Sequence, residues 1–100
     1  VRVFLTGTSG LVGRAVVGRL AERGVPARAL LRGAPVVALP AGLEAVRGDL
    51  LQPGGWLGAL TGCDVVIHVA GAMPRDEAAT FALNRDATRA LFDAARRAGA

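Results

Sequence analysis

The 100-residue chain has no lysine and no tyrosine, and only one cysteine, one histidine, one methionine and one tryptophan. Each scarcity removes a class of function. Cys63 has no partner for a disulfide within the chain, and with His68 as the one imidazole the Cys/His spacings of structural metal sites are absent. No apolar run approaches the ~18 residues that a membrane-spanning helix needs, and no charged, apolar and small-residue series marks a cleavable leader at the start. A net charge of +4 invites a nucleic-acid reading, but aromatics are only 4% of the chain, too few to form a stacking platform. The twelve basic residues, all arginine, are spread from Arg2 to Arg97 and read mainly as solvated surface. The expectation is a cytoplasmic protein in a reducing compartment, without metal, membrane or nucleic-acid partner.

Hydrophobic residues make up 52% of the chain, enough for one modest core and one domain or part of one. Val1 to Thr6 is a short strand-forming run that halts at Gly7. From Leu11 to Arg23, the apolar residues Leu11, Val12, Ala15, Val16 and Leu20 recur at helical spacing, and Gly24 suits a left-handed cap. Pro26 opens a second strand, Ala27 to Arg32, since proline at a strand's first position sacrifices little ladder bonding. Gly33 to Gly42 is connection, short for a parallel crossover. Leu43 to Arg47 is a weaker third strand, and Trp56 to Leu60 a brief helical candidate. Asp64 to Ala70 is so uniformly apolar that both of its faces should be covered. A last helix, starting near Asp76 to Thr80, places Leu83, Ala87, Leu91, Ala94, Ala95 and Ala98 on one face and sets Asp93 four residues from Arg97, at ion-pair spacing. Alternation of this kind predicts an α/β fold with a parallel sheet.

Gly7-Thr8-Ser9-Gly10-Leu11-Val12-Gly13 falls where the first strand turns into the first helix. Gly7 permits the tight turn, Gly10 lets the backbone approach a diphosphate without an intervening side chain, and Gly13 lets helix and strand pack closely. The free N–H groups at the helix start then face an anion, with the helix dipole assisting. Glycines that serve only packing are the alternative. The buried strand before the turn and the amphipathic helix after it favour nucleotide binding.

Thr6 followed by Gly7, Gly10 and Gly13, with two residues between the first two glycines, resembles the short-chain dehydrogenase/reductase superfamily, in particular its extended NAD(P)-dependent epimerase/dehydratase branch. Gly48-Asp49-Leu50, His68-Val69-Ala70-Gly71, and Asn84 leading into Leu91 to Gly99 agree in order and spacing, so the resemblance covers essentially the whole chain. It implies a Rossmann-type doubly wound parallel sheet, here its N-terminal portion, with four strands in the order 3-2-1-4. It also implies that backbone from Gly7 and Thr8 through Ser9, Gly10, Leu11, Val12 and Gly13 holds a pyrophosphate, and that Asp49 and Leu50 border the adenine. Val69, Ala70 and Gly71 would line the riboses, and Asn84 would steady the sheet beside the cofactor. Asp49 as a simple turn residue is the alternative there, and His68 is expected to be a strand residue packed beneath a helix.

Cofactor choice turns on the end of the second strand. An acid there would accept hydrogen bonds from the ribose 2′-hydroxyl of NAD, whereas a basic residue would receive the 2′-phosphate of NADP. No carboxylate occurs between Glu22 and Glu44, and Arg32 stands at that end, so NADP is expected over NAD unless Arg32 is ordinary surface. The superfamily's hydride-transfer machinery, a Ser or Thr with a Tyr-x-x-x-Lys pair, is absent from these residues. Residues 1–100 are therefore expected to be the N-terminal part of one NAD(P)-binding domain, with the catalytic and substrate segments elsewhere. The substrate expected of such an enzyme is a small molecule, a nucleotide sugar or another carbonyl or hydroxyl compound. The other expectations are a non-catalytic redox sensor or assembly subunit of the same fold and, behind both, a purely structural α/β module. In the 3-2-1-4 order Val65, Val66, Ile67 and Val69 lie on an open strand edge, which leaves association into a homo-oligomer open.

Overall fold

The computed structural model describes residues 1–8, 10–31, 39–50, 53–69 and 82–100. Strand β1, Val3–Thr6, is buried along its whole length and ends at Gly7, whose φ of 79° turns the chain. Helix α1, Leu11–Glu22, follows directly. It stops at Gly24, where the Gly24 N–H donates to the Ala21 carbonyl and the Val25 N–H to that of Leu20, the paired closure that a left-handed glycine makes accessible. Strands β2, Ala27–Leu31, and β3, Leu43–Arg47, come next. Two 3-10 turns, Pro53–Gly55 and Leu57–Leu60, lead to β4, Val65–His68. A π-helical turn, Ala82–Ala87, runs into α2, Thr88–Ala98, which closes at Gly99 as α1 closes at Gly24.

All four strands are parallel, in the order β3-β2-β1-β4. Because side chains alternate along a strand, β1 feeds two cores. Val3 and Leu5 point to one face and pack with Val16, Val17 and Leu20 of α1 and with Ile67 of β4. Phe4 points to the other, where Trp56, Leu60, Leu91 and Ala94 gather. The helices thus cover opposite faces of one sheet, as a doubly wound fold requires.

Three expectations need correction. The run Asp64 to Ala70 is ordered as a shorter strand, and its side chains are only partly covered, Val65 being 42% exposed. The reason is position: β4 lies at the edge of the described sheet, with β1 on one side and no strand among the described residues on the other. Ala98 is exposed rather than on the buried face of α2, since it is the helix's last residue; the buried stripe is Ala87, just before the helix, with Leu91, Ala94 and Ala95. No ion pair joins Asp93 to Arg97, both exposed; the pairs among the described residues are Arg19–Glu22, Arg28–Glu44 and Arg85–Asp86. A solvated pair at that spacing gains too little to hold two long side chains in one geometry. The expected helix start near Asp76 to Thr80, and most of the Gly33 to Gly42 connection, lie outside the described residues.

Candidate functional site

Parallel pairing brings the carboxyl ends of all four strands to one edge of the sheet, with Thr6 opposite His68 and Leu31 opposite Arg47. The chain winds outward from β1 through β2 to β3, then crosses back to β4 on the other side of β1. The crevice between the ends of β1 and β4, where winding reverses, is where open α/β sheets bind ligands.

The glycines at the end of β1 are there for different reasons. Gly7 has the positive φ that L side chains avoid. Gly13 sits against the turn itself: a Cβ there would lie 1.7 Å from the Gly7 carbonyl oxygen and 2.9 Å from the Thr8 Cα. Gly10 has neither constraint, with φ −80° and ψ 172°, and a Cβ there would meet only the Gly7 oxygen, at 3.9 Å. Its bare backbone faces outward at the head of α1. Among the described residues no side chain caps that helix, no acid occupies its first turn, and the first intrahelical bond runs from the Arg14 N–H to the Gly10 carbonyl at 2.9 Å. Amide donors of a first turn and the positive end of a helix dipole are groups that suit an anion. Leu11 and Val12 expose their side chains at this mouth and contribute nothing to the core, while Thr8 is buried.

After β3, the Gly48 N–H donates to the Leu31 carbonyl at 3.0 Å, and the Asp49 carbonyl accepts the Trp56 Nε1–H at 2.8 Å. A Cβ at Gly48 would come within 2.8 Å of Trp56 Cδ1, so this glycine is required by the indole. Trp56, 1% exposed and stacked near Phe4, holds the turn that carries Asp49 and Leu50; the Leu50 side chain is itself buried in the core with Phe4 and Leu60. The sequence reading singled out the two turn residues and missed their support. The signal was available: a lone tryptophan behind Pro53-Gly54-Gly55, whose buried N–H must find an acceptor.

At the end of β4 the Val69 N–H donates to the Thr6 Oγ1 at 3.2 Å and to the Thr6 carbonyl at 3.3 Å. His68 bridges Thr6 and α2, its Nδ1 lying 2.7 Å from Thr6 Oγ1 and its Nε2 2.9 Å from Thr88 Oγ1. Burial lowers its pKa from the ordinary 6.5. It is, as expected, a strand residue beneath a helix. Asn84 lies on the exposed side of the π-helical turn that precedes Thr88. Ser9, Arg32, Ala70 and Gly71 lie outside the described residues. The structure therefore gathers Gly7, Thr8, Gly10, Leu11, Val12, Gly13 and Val69 around the β1/β4 crevice and places Asp49 and Leu50 on the turn after β3, which leaves the same edge of the sheet.

Cys63 belongs to the opposite end, just before the amino end of β4. Burial pushes its thiol pKa up, against the lowering influence of Arg28. Arg28 itself is a structural clasp, donating to the carbonyls of Ala59 at 2.9 Å and Thr61 at 2.6 Å. Among the described residues no group of acids, cysteine or histidine could hold a metal ion, and no helix is long and apolar enough to cross a membrane.

Comparison with known proteins agrees with this geometry. A family model described as NAD(P)H-binding matches residues 7–100. A ceramide reductase of Caulobacter vibrioides is 40% identical over 101 residues, 98% of this chain and 32% of that protein. A photosystem II assembly factor of Cyanophora paradoxa is 32% identical over 96 residues, covering 94% of this chain and 30% of that one. A short-chain dehydrogenase/reductase superfamily protein of Agrobacterium tumefaciens, solved with bound NAD, superposes with a TM-score of 0.81 at 34% identity, over 99% of this chain and 30% of the other. The chain thus spans roughly three-tenths of the length of these relatives. Three glycines at the head of α1, a parallel 3-2-1-4 sheet and matches along nearly the entire sequence give one answer: the chain belongs to the NAD(P)H-binding family and has the Rossmann-type fold of the short-chain dehydrogenases/reductases.

Proposed function

We propose that this chain cradles the pyrophosphate of a nicotinamide dinucleotide on the backbone of Gly7 to Gly13, and that it serves as the cofactor-binding portion of a reductase, dehydrogenase or epimerase acting on a small carbonyl or hydroxyl compound. The observation that carries this is Gly10. The fold explains Gly7 by backbone conformation and Gly13 by packing, but nothing among the described residues requires a glycine at 10, so its missing side chain has an external reason. Asp49 and Leu50 border the adenine in this reading, Val69, Ala70 and Gly71 line the riboses, and Asn84 steadies the sheet beside the cofactor. Residues 1–100 act as the N-terminal portion of one binding domain. They contain no Tyr-x-x-x-Lys pair, so the proton-transfer groups come from other segments. A second reading, a non-catalytic binding subunit, is favoured by the likeness to an assembly factor. Turnover of NAD(P)H with a carbonyl substrate by the full-length protein separates the two.

The test is Gly10→Leu in the full-length protein. A leucyl side chain fills the diphosphate position without straining the turn, so dinucleotide binding should be lost while the melting temperature stays near that of the parent. Undiminished affinity in the folded variant would falsify the cradle. For the choice of cofactor the reading is NADP, through Arg32 just beyond the end of β2. A charge-assisted contact contributes about 1.5–3 kcal/mol, and ~1.4 kcal/mol is tenfold in affinity. Arg32→Ala should weaken NADPH roughly tenfold or more and leave NADH unchanged; equal affinities for both cofactors before and after the change would make Arg32 ordinary surface.

A further inference from the structure

His68 is not accounted for by the cradle, yet it stands at the junction of three elements that build it. Its two nitrogens reach Thr6, the last residue of β1 before the glycine turn, and Thr88, the first residue of α2. Thr6 Oγ1 in turn accepts the Val69 N–H, so the imidazole, one hydroxyl and one amide fix where the chain leaves β4 relative to where it leaves β1. Resting on the cradle reading, we infer that neutral His68 is a positioning residue for the dinucleotide, a bridge that holds α2 and the ends of β1 and β4 in binding register and that opens when the imidazole takes up a proton.

The chemistry follows from donor and acceptor supply. The Nε2–H tautomer suits the geometry: Nε2–H donates to Thr88, and Nδ1 accepts the Thr6 hydroxyl proton while Thr6 Oγ1 accepts from Val69. A proton on Nδ1 reverses the bond to Thr6: both lone pairs of Oγ1 are then taken by N–H donors, the hydroxyl proton loses the ring nitrogen as its acceptor, and a full charge is placed on a half-buried ring. Among the described residues, the groups facing the ring are the Thr6 hydroxyl from β1 and, from α2, the Thr88 hydroxyl and the edge-packed Phe92 ring, its centroid 6.1 Å away. The nearby charges of the π-helical turn, Arg85 and Asp86, pair with each other at 2.7 Å. Burial is the cause that lowers the His68 pKa, with no charged neighbour contributing, so no carboxylate among the described residues stabilises an imidazolium. With the folded pKa below the unfolded 6.5, the bridge contributes fully above that value and is lost as pH falls through the lower, folded one.

The experiment is a titration of NADPH and NADH binding to the full-length protein between about pH 8 and about pH 5, on the parent, His68→Asn, His68→Gln and Thr88→Val. Asn places an amide near the Nδ1 position and Gln near Nε2; each keeps one link and neither titrates. The parent should lose roughly three- to tenfold in affinity as pH falls through the folded imidazole's lowered pKa, and whichever His68 variant folds should be flat across that window. Thr88→Val should bind more weakly at neutral pH with its melting temperature little changed. A His68 variant with the parent's pH slope, or Thr88→Val with the parent's affinity, overturns the inference while leaving the cradle standing. A parent that binds neither dinucleotide at any pH removes both.

Discussion

The turn after β1 and the junction after β4 lie side by side at one edge of the sheet, and they are held by opposite means. The first is a matter of backbone: a positive φ at Gly7 and a glycine at 13 that lets helix and turn touch. The second is a matter of side chains, Thr6, His68 and Thr88, brought together from three elements. The turn after β3 shares both characters, since Gly48 is bare so that Trp56 can close over it. Backbone devices are written within seven consecutive residues. Side-chain devices are written across the fold.

The contrast can be sharpened by substitution, beginning with the side-chain device under the most packing. Trp56→Ala removes a fully buried indole and leaves the Asp49 carbonyl without its donor, and should cost about 3–5 kcal/mol, visible as a large drop in the denaturant midpoint. A loss below about 1 kcal/mol would mean that the turn after β3 stands on backbone alone. Next is Gly13→Ala, where the added methyl has only backbone to displace. Overpacking of this kind costs about 1–3 kcal/mol and occasionally more, and this site should reach the upper end. Gly10→Ala, three residues earlier, should be close to neutral in stability. Reduced freedom of the unfolded chain stabilises by about 0.4–1 kcal/mol, and the poorer helix cap offsets it by a similar amount. If the two alanine variants melt alike, the sorting of these glycines by cause is wrong. Smallest of all, Arg19→Ala breaks an exposed pair with Glu22 and should shift stability by no more than about 0.5 kcal/mol, less still at high salt.

These differences explain what could be read from the residues in advance. The parallel α/β class, the strand-turn-helix around Gly7 to Gly13, and the left-handed closure at Gly24 all follow from patterns a few residues long, and each is found. The glycine turn was legible because the backbone makes it. The partial exposure of β4 was not, because a buried-strand composition says which residues want cover but not whether a neighbour supplies it. Nor was Thr88, whose hydroxyl looks from the sequence like any polar residue near a helix start; only the pairing of Thr6 with His68 gives it a role. Trp56 falls between, since its need for an acceptor was readable and the identity of that acceptor was not.

The pairing register also bears on the order in which the molecule assembles. Ala27 pairs with Leu43 and Val3 with Ala27, both across modest loops, whereas the Thr6–His68 link spans 62 residues. Each doubling of a closed loop costs about 0.6 kcal/mol in chain entropy, so the β1–β4 seam is about 1 kcal/mol harder to close than the β2–β3 seam. Strands β1 to β3 can form a folding nucleus with the glycine turn already shaped, and β4 docks onto it late. In a hydrogen-exchange experiment the amides of Leu5 and Ala29, which face β2 and β3, should outlast those of Ile67 and Val69, which face β1. The cradle would then be half built before the rest of the crevice exists, and the β1–β4 seam would be the first part of it to open.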